Sequence, residues 1–398
     1  MRRPAPSPLA AHWTLDPEVT FLNHGAFGAC PREVLTLQSE LRARMERDPI
    51  DFLVRAIEPL LDEARARLAA FLRADPDDLA FVDNATAGVN TVLRSLELGS
   101  GDELLTTDHA YNACANALHA VAKRTGARVV VVPVPFPVES PVEVSSAVLG
   151  AVTERTRLVL LDHVTSATGV VFPVETLVPA LQARGVDVLV DGAHAPGMVP
   201  LDVGALGAAY YTGNCHKWLC APKGAGFLHV RRDRQAGIRP LVISHGANSP
   251  RTDRSRFRLE FDWTGTRDPS ALLCVGRAIE VVGGLVSGGW DEVRACNGAL
   301  ARRARTLVCD ALGVGPPCPE AMLGSLAVVA LPEDPRWPPP GPLALDPLQD
   351  WLFERHRIEV PVYGWPAAHR RWIRVSPHLH NSEAQYHFLA GALREAMA

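Results

Sequence analysis

RLVLLD at residues 157–162 and VDVLVD at residues 186–191 are two short apolar runs that each end in an aspartate. Both runs predict buried strands, and residues 173–184 between them carry apolar side chains at helical spacing. Strand, helix and strand at this spacing are typical of a βαβ unit, because parallel strands need a long crossover connection. This stretch therefore predicts a parallel sheet.

The alternation of strands and helices also occurs upstream of this unit. Upstream, a strand at residues 79–82 leads into a helix at 86–96, which predicts an α/β fold with a large doubly wound, mostly parallel sheet. We expect a proline-rich, extended N-terminal arm over residues 1–20 and a large domain over residues 21–270.

The pattern of predicted helices and strands changes after residue 270 and predicts a smaller α+β domain over residues 271–398. Helices are expected at 271–282 and 290–312, and a final helix from residue 382. Strands are expected at 326–331, 357–362 and 371–375. The seven prolines between Pro332 and Pro347 indicate a rigid surface loop.

Composition excludes several classes of protein. The 398 residues are 47% hydrophobic and 21% charged with a net charge of -4, which describes a globular chain without a phosphate-binding surface for nucleic acid. No apolar run is long enough to span a membrane, so a cytoplasmic enzyme is expected. The eight cysteines form no CxxC pair, and His24, His245 and His378 lack the spacing of metal ligands, so no metal is expected.

The chemistry-bearing residues follow predicted strands. There is no GxGxxG, GxxxxGK[ST], HExxH or GxSxG motif, which argues against dinucleotide, nucleotide-triphosphate, zinc-protease and serine-hydrolase sites. Asp191 ends one strand and Lys217 follows another, so both are expected at the edge of the sheet where ligands bind. A lysine that forms a Schiff base and a carboxylate that keeps a pyridine nitrogen protonated suit pyridoxal phosphate (PLP). Asn84-Ala85-Thr86, at a helix start, is suited to its phosphate.

Three longer motifs resemble a known family. Residues 191–194 (DGAH), 213–218 (GNCHKW) and 265–268 (GTRD) look like the class V aminotransferase group of fold-type I PLP enzymes. Within that group the chain resembles isopenicillin N epimerases and their C–S lyase and cysteine desulfhydrase-like relatives, from about residue 20 to residue 395. The opening LNHGAFG at residues 22–28 also matches this subgroup.

The resemblance implies a role for each cofactor-binding position. Lys217 would form the Schiff base and act as acid/base at Cα, Asp191 would pair with the pyridine nitrogen, and His194 would lie by the ring hydroxyl. The phosphate would be held by Ala85, Thr86, Asn214 and His216.

The resemblance also implies residues at the edges of the site. His109 falls where the family stacks a ring on the cofactor, and Tyr111 is a second candidate for that face or an acid near the substrate. Thr266 would reach the phosphate of a neighbouring subunit, which implies a homodimer. Arg374 matches the arginine that grips the substrate carboxylate, and Asn23 and His24 would line the substrate site.

The resemblance leaves the reaction open. The expected substrate is an α-amino acid or a conjugate, processed through an external aldimine and a Cα carbanion. Epimerisation is favoured, C–S β-lysis with release of pyruvate and ammonia is the alternative, and transamination comes third. A persulfide-forming desulfurase is not expected, because no cysteine follows Cys318.

Overall fold

A seven-stranded sheet forms the centre of the computed structural model, which describes residues 3–340 and 344–398. Its spatial order is β2-β8-β7-β6-β5-β3-β4, and only β8 runs against the other strands. The strands are β2 (Leu79–Val82), β3 (Glu103–Thr107), β4 (Arg128–Val132), β5 (Thr156–Asp162), β6 (Asp187–Gly192), β7 (Tyr210–Asn214) and β8 (Gly226–Val230). The mostly parallel α/β fold predicted from the sequence is thus confirmed.

Helices cover both faces of this sheet, as the near-continuous burial of its inner strands requires. The helices up to residue 283 are α1 (His24–Phe27), α2 (Arg32–Arg47), α3 (Ile57–Leu72), α4 (Ala85–Ser95), α5 (Asn112–Thr125), α6 (Pro141–Gly150), α7 (Val174–Gln182), α8 (Val203–Leu206), α9 (Arg256–Asp262), α10 (Ser270–Leu273) and α11 (Val275–Gly283). A π-helical turn, Asp51–Ala56, joins α2 to α3.

The register of the sheet brings three strand ends together. Asp162 of β5 pairs with Asp191 of β6, and Asp191 pairs with Thr212 of β7. Because these strands are parallel, their carboxyl ends and the loops that follow lie at one edge of the sheet, where open α/β sheets bind ligands.

A smaller antiparallel sheet of order β11-β12-β9 lies in the C-terminal part. Its strands are β9 (Ala327–Ala330), β11 (Val362–Gly364) and β12 (Arg371–Val375). The long helices α12 (Gly289–Leu312) and α14 (Glu383–Met397) pack beside it around a separate apolar core, and α13 (Pro347–His356) precedes the strands. A smaller C-terminal α+β unit is therefore present.

The N-terminal part of the chain packs against the C-terminal part. The two-residue strand β1 (Thr20–Phe21) pairs with β10 (Ile358–Glu359), and Leu22 lies in the core of the smaller sheet. The predicted extended arm is wrong over Pro8–His12, which forms a 3-10 helix capped by the Ser7 hydroxyl. The boundaries at residues 20 and 270 remain predictions.

The proline-rich segment is irregular in its described portion. Residues 331–340 contain neither helix nor strand, and Pro347 begins α13 because proline is well suited to a first helical turn. Pro342 of the predicted loop lies outside the described residues. Over residues 3–340 and 344–398, no helix is long and apolar enough to cross a membrane.

Candidate active site

A cavity of about 360 Å³ lies at the carboxyl edge of the large sheet. It is bounded by the ends of β5, β6 and β7, by the first turn of α4 and by Tyr111, which precedes α5. Eight of the predicted site residues line it: Ala85, Thr86, Tyr111, Asp191, His194, Asn214, His216 and Lys217. The structure therefore gathers residues that lie up to 132 positions apart in the sequence.

Lys217 lies in the turn after β7 with its side chain partly buried. Its Nζ is 2.9 Å from Nε2 of His194, and Trp218 Nε1 donates a hydrogen bond to Nδ1 of the same imidazole at 3.3 Å. Burial, followed by the charge of Arg374, lowers the pKa of Lys217 to about 7. A lysine with a pKa near neutrality is a competent nucleophile for an aldehyde.

Asp191 is held by two donors at the end of β6. Its Oδ1 accepts the Ala193 amide at 2.9 Å, and its Oδ2 accepts the Cys114 thiol at 3.2 Å. Burial raises the pKa of Asp191, while the two donors and the Lys217 charge act in the opposite direction. A cationic ring nitrogen placed beside this carboxylate would offset the cost of its burial.

The start of α4 forms an anion cradle beside these residues. Asn84 caps the helix by accepting the Ala87 amide at 2.9 Å, and Asn214 Oδ1 accepts the Ala85 amide at 2.8 Å. Gly226 permits this approach, since a Cβ there would lie 2.7 Å from Cα of Asn84. The Thr86 amide, the one amide of the first turn that these bonds leave unused, and the dipole of this 11-residue helix favour a phosphate group.

His216 contributes a ring nitrogen to the same cradle. Its Nδ1 donates to the Ala225 carbonyl at 3.1 Å, which leaves Nε2 as an acceptor in the neutral ring. Burial lowers the pKa of His216 to about 4. His216 can thus donate to a phosphate only after taking up a proton, for which a nearby phosphate dianion would provide the driving force.

Tyr111 and His109 have different surroundings. Tyr111 precedes the first turn of α5, lines the cavity and is 46% exposed. His109 is buried outside the cavity lining, where its Nε2 donates to the Val134 carbonyl at 3.2 Å and its Nδ1 accepts the Thr168 hydroxyl at 2.7 Å. Of the two residues expected at the cofactor face, Tyr111 lines the cavity and His109 does not.

A cage of three aromatic rings explains the orientation of His109. The ring centroids of Phe136, Phe172 and Trp365 lie 5.6, 5.6 and 4.6 Å from that of the imidazole. Edge and tilted contacts of this kind stabilise a buried ring. The sequence around His109 gives no sign of them, because all three rings come from distant segments.

Arg374 of β12 lies behind the cavity wall. Its Nη1 donates to the carbonyl of Ser166, a lining residue, at 2.9 Å, and its guanidinium carbon lies 5.8 Å from the centroid of the Tyr363 ring. Its Nε has no hydrogen-bond partner among the described residues although it is buried. A guanidinium group with unused N–H donors is suited to binding the substrate carboxylate, the role predicted for Arg374.

Asn23 and His24 do not line the cavity, contrary to their predicted substrate role. The Asn23 side chain faces Glu359, and His24 is buried beside the backbone of Lys217. His24 Nε2 donates to the Lys217 carbonyl at 3.1 Å, and its Nδ1 is 3.2 Å from Nε2 of His380. His24 therefore supports the backbone of the lysine turn.

His24, His378 and His380 form a cluster that their spacing in the sequence did not indicate. One ring nitrogen from each of His24, His378 and His380 lies within 4.8 Å of the others, whereas His245 is exposed in another part of the surface. Burial lowers the pKa of all three clustered rings, so they are neutral near pH 7.

Thr266 lies outside the cavity of its own chain, in an exposed loop. The next residue, Arg267, forms an ion pair at 2.9 Å with Asp83, which lines the cavity mouth. This pair holds the loop at the rim of the site. The predicted contact of Thr266 with a second subunit remains a proposal.

Two charged residues, Asp162 and Lys223, are among the lining residues that were not predicted from the sequence. Asp162 lies buried beside Asp191, and Lys223 donates from Nζ to the Gly28 carbonyl at 2.9 Å. Asp162 ends β5 as Asp191 closes the following strand, so its place at a strand end was the signal that could have identified it.

A second, larger cavity of about 590 Å³ lies around His163, Glu175, Trp290 and Arg294. Its lining contains neither Lys217 nor Asp191. The smaller cavity is the stronger active-site candidate, because it unites a lysine of lowered pKa, a buried carboxylate and an anion cradle.

Comparison with known proteins agrees with this geometry. The family described as Aminotransferase class-V matches residues 32–308. The chain is 39% identical to an isopenicillin N epimerase of Amycolatopsis lactamdurans, with 96% of each chain covered. It is 32% identical to a probable chloroplastic L-cysteine desulfhydrase of Arabidopsis thaliana, covering 95% of this chain and 83% of the relative.

A solved structure shares the fold over nearly the whole chain. It is that of a C-DES variant with glycine covalently linked to its PLP cofactor, with a TM-score of 0.78, 24% identity, and coverage of 95% of this chain and 96% of that one. The lysine, the carboxylate and the anion cradle described above fit the aldehyde, ring nitrogen and phosphate of PLP. The chain belongs to the class V aminotransferase family of PLP-dependent enzymes.

Proposed function

We propose that this protein is a PLP-dependent amino-acid epimerase that inverts the configuration at Cα. The observation that carries the proposal is the similarity to isopenicillin N epimerase over 96% of both chains, combined with a cavity that contains two separate acid/base groups. When bound, PLP withdraws the electron pair left at Cα after its proton is removed.

Lys217 and Tyr111 are the two proposed acid/base groups. Lys217 follows β7 and Tyr111 follows β3, and the strands β6 and β5 with Asp191 and Asp162 lie between them. Three strand spacings amount to roughly 14 Å of backbone separation, so a substrate bound between the two side chains would be reached by them from different sides. Lys217 would remove the proton at Cα, and Tyr111 would return one on the other face.

The other lining residues would bind and orient the reactants. Asp191 would hold the ring nitrogen, His194 the ring hydroxyl, and the cradle at Ala85, Thr86, Asn214 and His216 the phosphate. Arg374 would bind the substrate carboxylate through donors that it does not use internally. This placement fixes the Cα–H bond near Lys217, which lowers the entropic cost of proton removal.

C–S β-lysis is the second candidate function. It is supported by relatives named cysteine desulfhydrases, one of them 32% identical over 95% of this chain. In this reaction Tyr111 would protonate the departing sulfur instead of Cα, so the same side chains serve both outcomes. The persulfide route stays disfavoured, because the last cysteine, Cys318, is buried and is not among the cavity-lining residues.

Incubation in D2O separates the two reactions. The loaded protein would be mixed with amino acids, cysteine conjugates and cysteine-containing peptides, and the products would be analysed by mass spectrometry and chiral chromatography. We expect deuterium at Cα with an intact skeleton and inverted configuration. Release of pyruvate with a free thiol would establish the lyase instead, and a Lys217→Ala variant should give neither product.

The variant Tyr111→Phe tests whether Tyr111 is the second acid/base group. The phenyl ring keeps the contact with the cofactor face but has no hydroxyl, so inversion should fall about 10²-fold or more while removal of the Cα proton by Lys217 continues. The expected readout is deuterium incorporation with retention of configuration. Unchanged inversion would exclude Tyr111 as the second acid.

We further propose that the active unit is a homodimer in which Thr266 contacts the phosphate site of the partner. The exposure of Thr266 and the anchoring of its loop by the Arg267–Asp83 pair support this arrangement. Sedimentation would give the oligomeric state. Mixing Lys217→Ala with Thr266→Val should restore activity above that of either variant alone, and a monomer with full activity would exclude the shared site.

A further inference from the structure

Asp162 is a buried carboxyl group of the cavity that accepts no well-formed hydrogen bond from the residues that the structure describes. It is the register partner of Asp191 on the neighbouring parallel strand, so both side chains project to the same face of the sheet. The two oxygens of Asp191 accept the Ala193 amide and the Cys114 thiol. Neither oxygen of Asp162 accepts a hydrogen bond of normal geometry within the described chain, although the residue is only 4% exposed and the Tyr111 amide is near it.

An ionised carboxylate in such a place is costly. Burial of an unpaired charge is strongly unfavourable, and a second carboxylate beside it adds repulsion. Burial, then the charge of Asp191, raises the pKa of Asp162 well above its usual range. The Tyr111 amide and the charge of Lys217 act in the opposite direction, and the Cys114 thiol beside the pair is itself uncharged because burial raises its pKa.

We propose that Asp162 is a second carboxyl group for the cofactor, holding a proton in the empty site and losing it when the protonated ring nitrogen is bound. The O–H bond of Asp162 breaks, and its proton leaves to solvent, or to the ring nitrogen if the ring arrives unprotonated. The positive ring then lies beside two carboxylates, Asp162 and Asp191. This inference rests on the proposed role of Asp191.

The arrangement explains why two aspartates occupy neighbouring strand ends. Asp191 is oriented by fixed donors and defines the position of the ring, whereas Asp162 has free oxygens that can follow the charge. An opposite charge within a few Å stabilises the ionised form of a carboxyl group. The pair would therefore keep the ring protonated to a higher pH than one carboxylate could.

Calorimetry of PLP binding to the cofactor-free full-length protein tests the proposal. Titrations in two buffers of different ionisation enthalpy, at the same pH near 7, give the number of protons exchanged on binding. We expect the wild type to release up to one proton more than Asp162→Asn, and the variant to bind PLP at least tenfold more weakly. Glu154→Gln, which removes an exposed carboxylate, is the matched control and should behave as the wild type.

Equal proton counts for the wild type and Asp162→Asn would overturn the inference, because a merely structural carboxyl group would leave the count unchanged. If the variant does not fold, infrared difference spectra of the wild type decide the question. Loss of a protonated-carboxyl C=O band on PLP binding is expected, and a spectrum without that loss would also overturn it. Failure of the wild type to bind PLP would instead refute the proposed function.

Discussion

Nζ of Lys217 lies 2.9 Å from Nε2 of His194, and burial lowers the pKa of both groups. Trp218 can only donate, so Nδ1 of His194 must accept from it at 3.3 Å. A neutral imidazole then carries its hydrogen on Nε2, because burial lowers its pKa well below the usual range. His194 therefore donates to a neutral Lys217 amine, in agreement with the lowered lysine pKa.

Substitutions of His194 test this tautomer. Once PLP occupies the site, the Nε2 hydrogen of His194 is the group available to the ring hydroxyl. We expect His194→Leu to slow Cα–H exchange about tenfold or more, consistent with the loss of one hydrogen bond of about 1.5 kcal/mol or more to a charged group. His194→Gln, which keeps an N–H donor, should recover most of the rate.

The bound cofactor provides a second readout for these variants. The pH titration of its yellow absorbance should shift in His194→Leu and much less in His194→Gln. The exposed His119→Gln serves as control. Equal spectra and equal rates for the two His194 variants would contradict a donor role.

Burial of Lys217 should destabilise the cofactor-free protein at neutral pH. The pKa of this lysine falls from 10.5 to about 7 on folding, so the unfolded chain binds more protons between these values. The free energy of unfolding should therefore gain up to about 1.4 kcal/mol per pH unit from this group as the pH rises from 7 towards 10. Lys217→Met should remove this contribution and be the more stable protein at pH 7.

Urea unfolding of both cofactor-free proteins at pH 7, 8 and 9 gives the comparison. The informative quantity is the difference between the two curves, because other groups also titrate in this range. Lys123→Met removes an exposed lysine of α5 and should leave the slope unchanged. A constant difference between wild type and Lys217→Met over the three pH values would contradict the lowered pKa.

Arg374 should control substrate affinity more than cofactor affinity. Arg374→Lys keeps the charge but loses the planar fork, so we expect KM to rise about tenfold or more, while the Kd for PLP changes less than twofold. Steady-state kinetics and absorbance titrations measure the two constants. Arg370→Lys, at an exposed position nearby, is the control, and an unchanged KM in Arg374→Lys would refute the carboxylate contact.

Asn214 should determine how well the start of α4 holds a phosphate. Its Oδ1 fixes the Ala85 amide at 2.8 Å, and Asn214→Ala removes that support. Loss of one such hydrogen bond, worth about 1 kcal/mol, should weaken PLP binding roughly five- to tenfold. Fluorescence titration with PLP gives the Kd, Asn248→Ala on an exposed turn is the control, and equal affinities would exclude the contact.

The sequence predicted the features that depend on local pattern. The apolar runs ending at Asp162 and Asp191 predicted β5 and β6, and the position of Asp191 and Lys217 after strands predicted the edge at which the cavity lies. The side-chain orientations of His109 and His24 could not be predicted in this way. They depend on Trp365 and His380, which come from segments hundreds of residues away.

The side-chain direction of Asp162 could not be predicted from the sequence for a different reason. Its place at a strand end was visible, but the register that makes it the neighbour of Asp191 depends on how β5 and β6 align. A shift by one residue would point the side chain to the other face of the sheet. Only the folded structure therefore distinguishes a cavity residue from a core residue at that position.

The hydrogen bonds that join His24 to the Lys217 carbonyl and to His380 connect residues that lie 356 positions apart through the lysine turn. During synthesis, residues near position 24 emerge long before position 380, and contacts between such distant segments form late. The lysine turn therefore acquires this support only after residue 380 has left the ribosome. Fragments that end before β12 should not retain the cofactor.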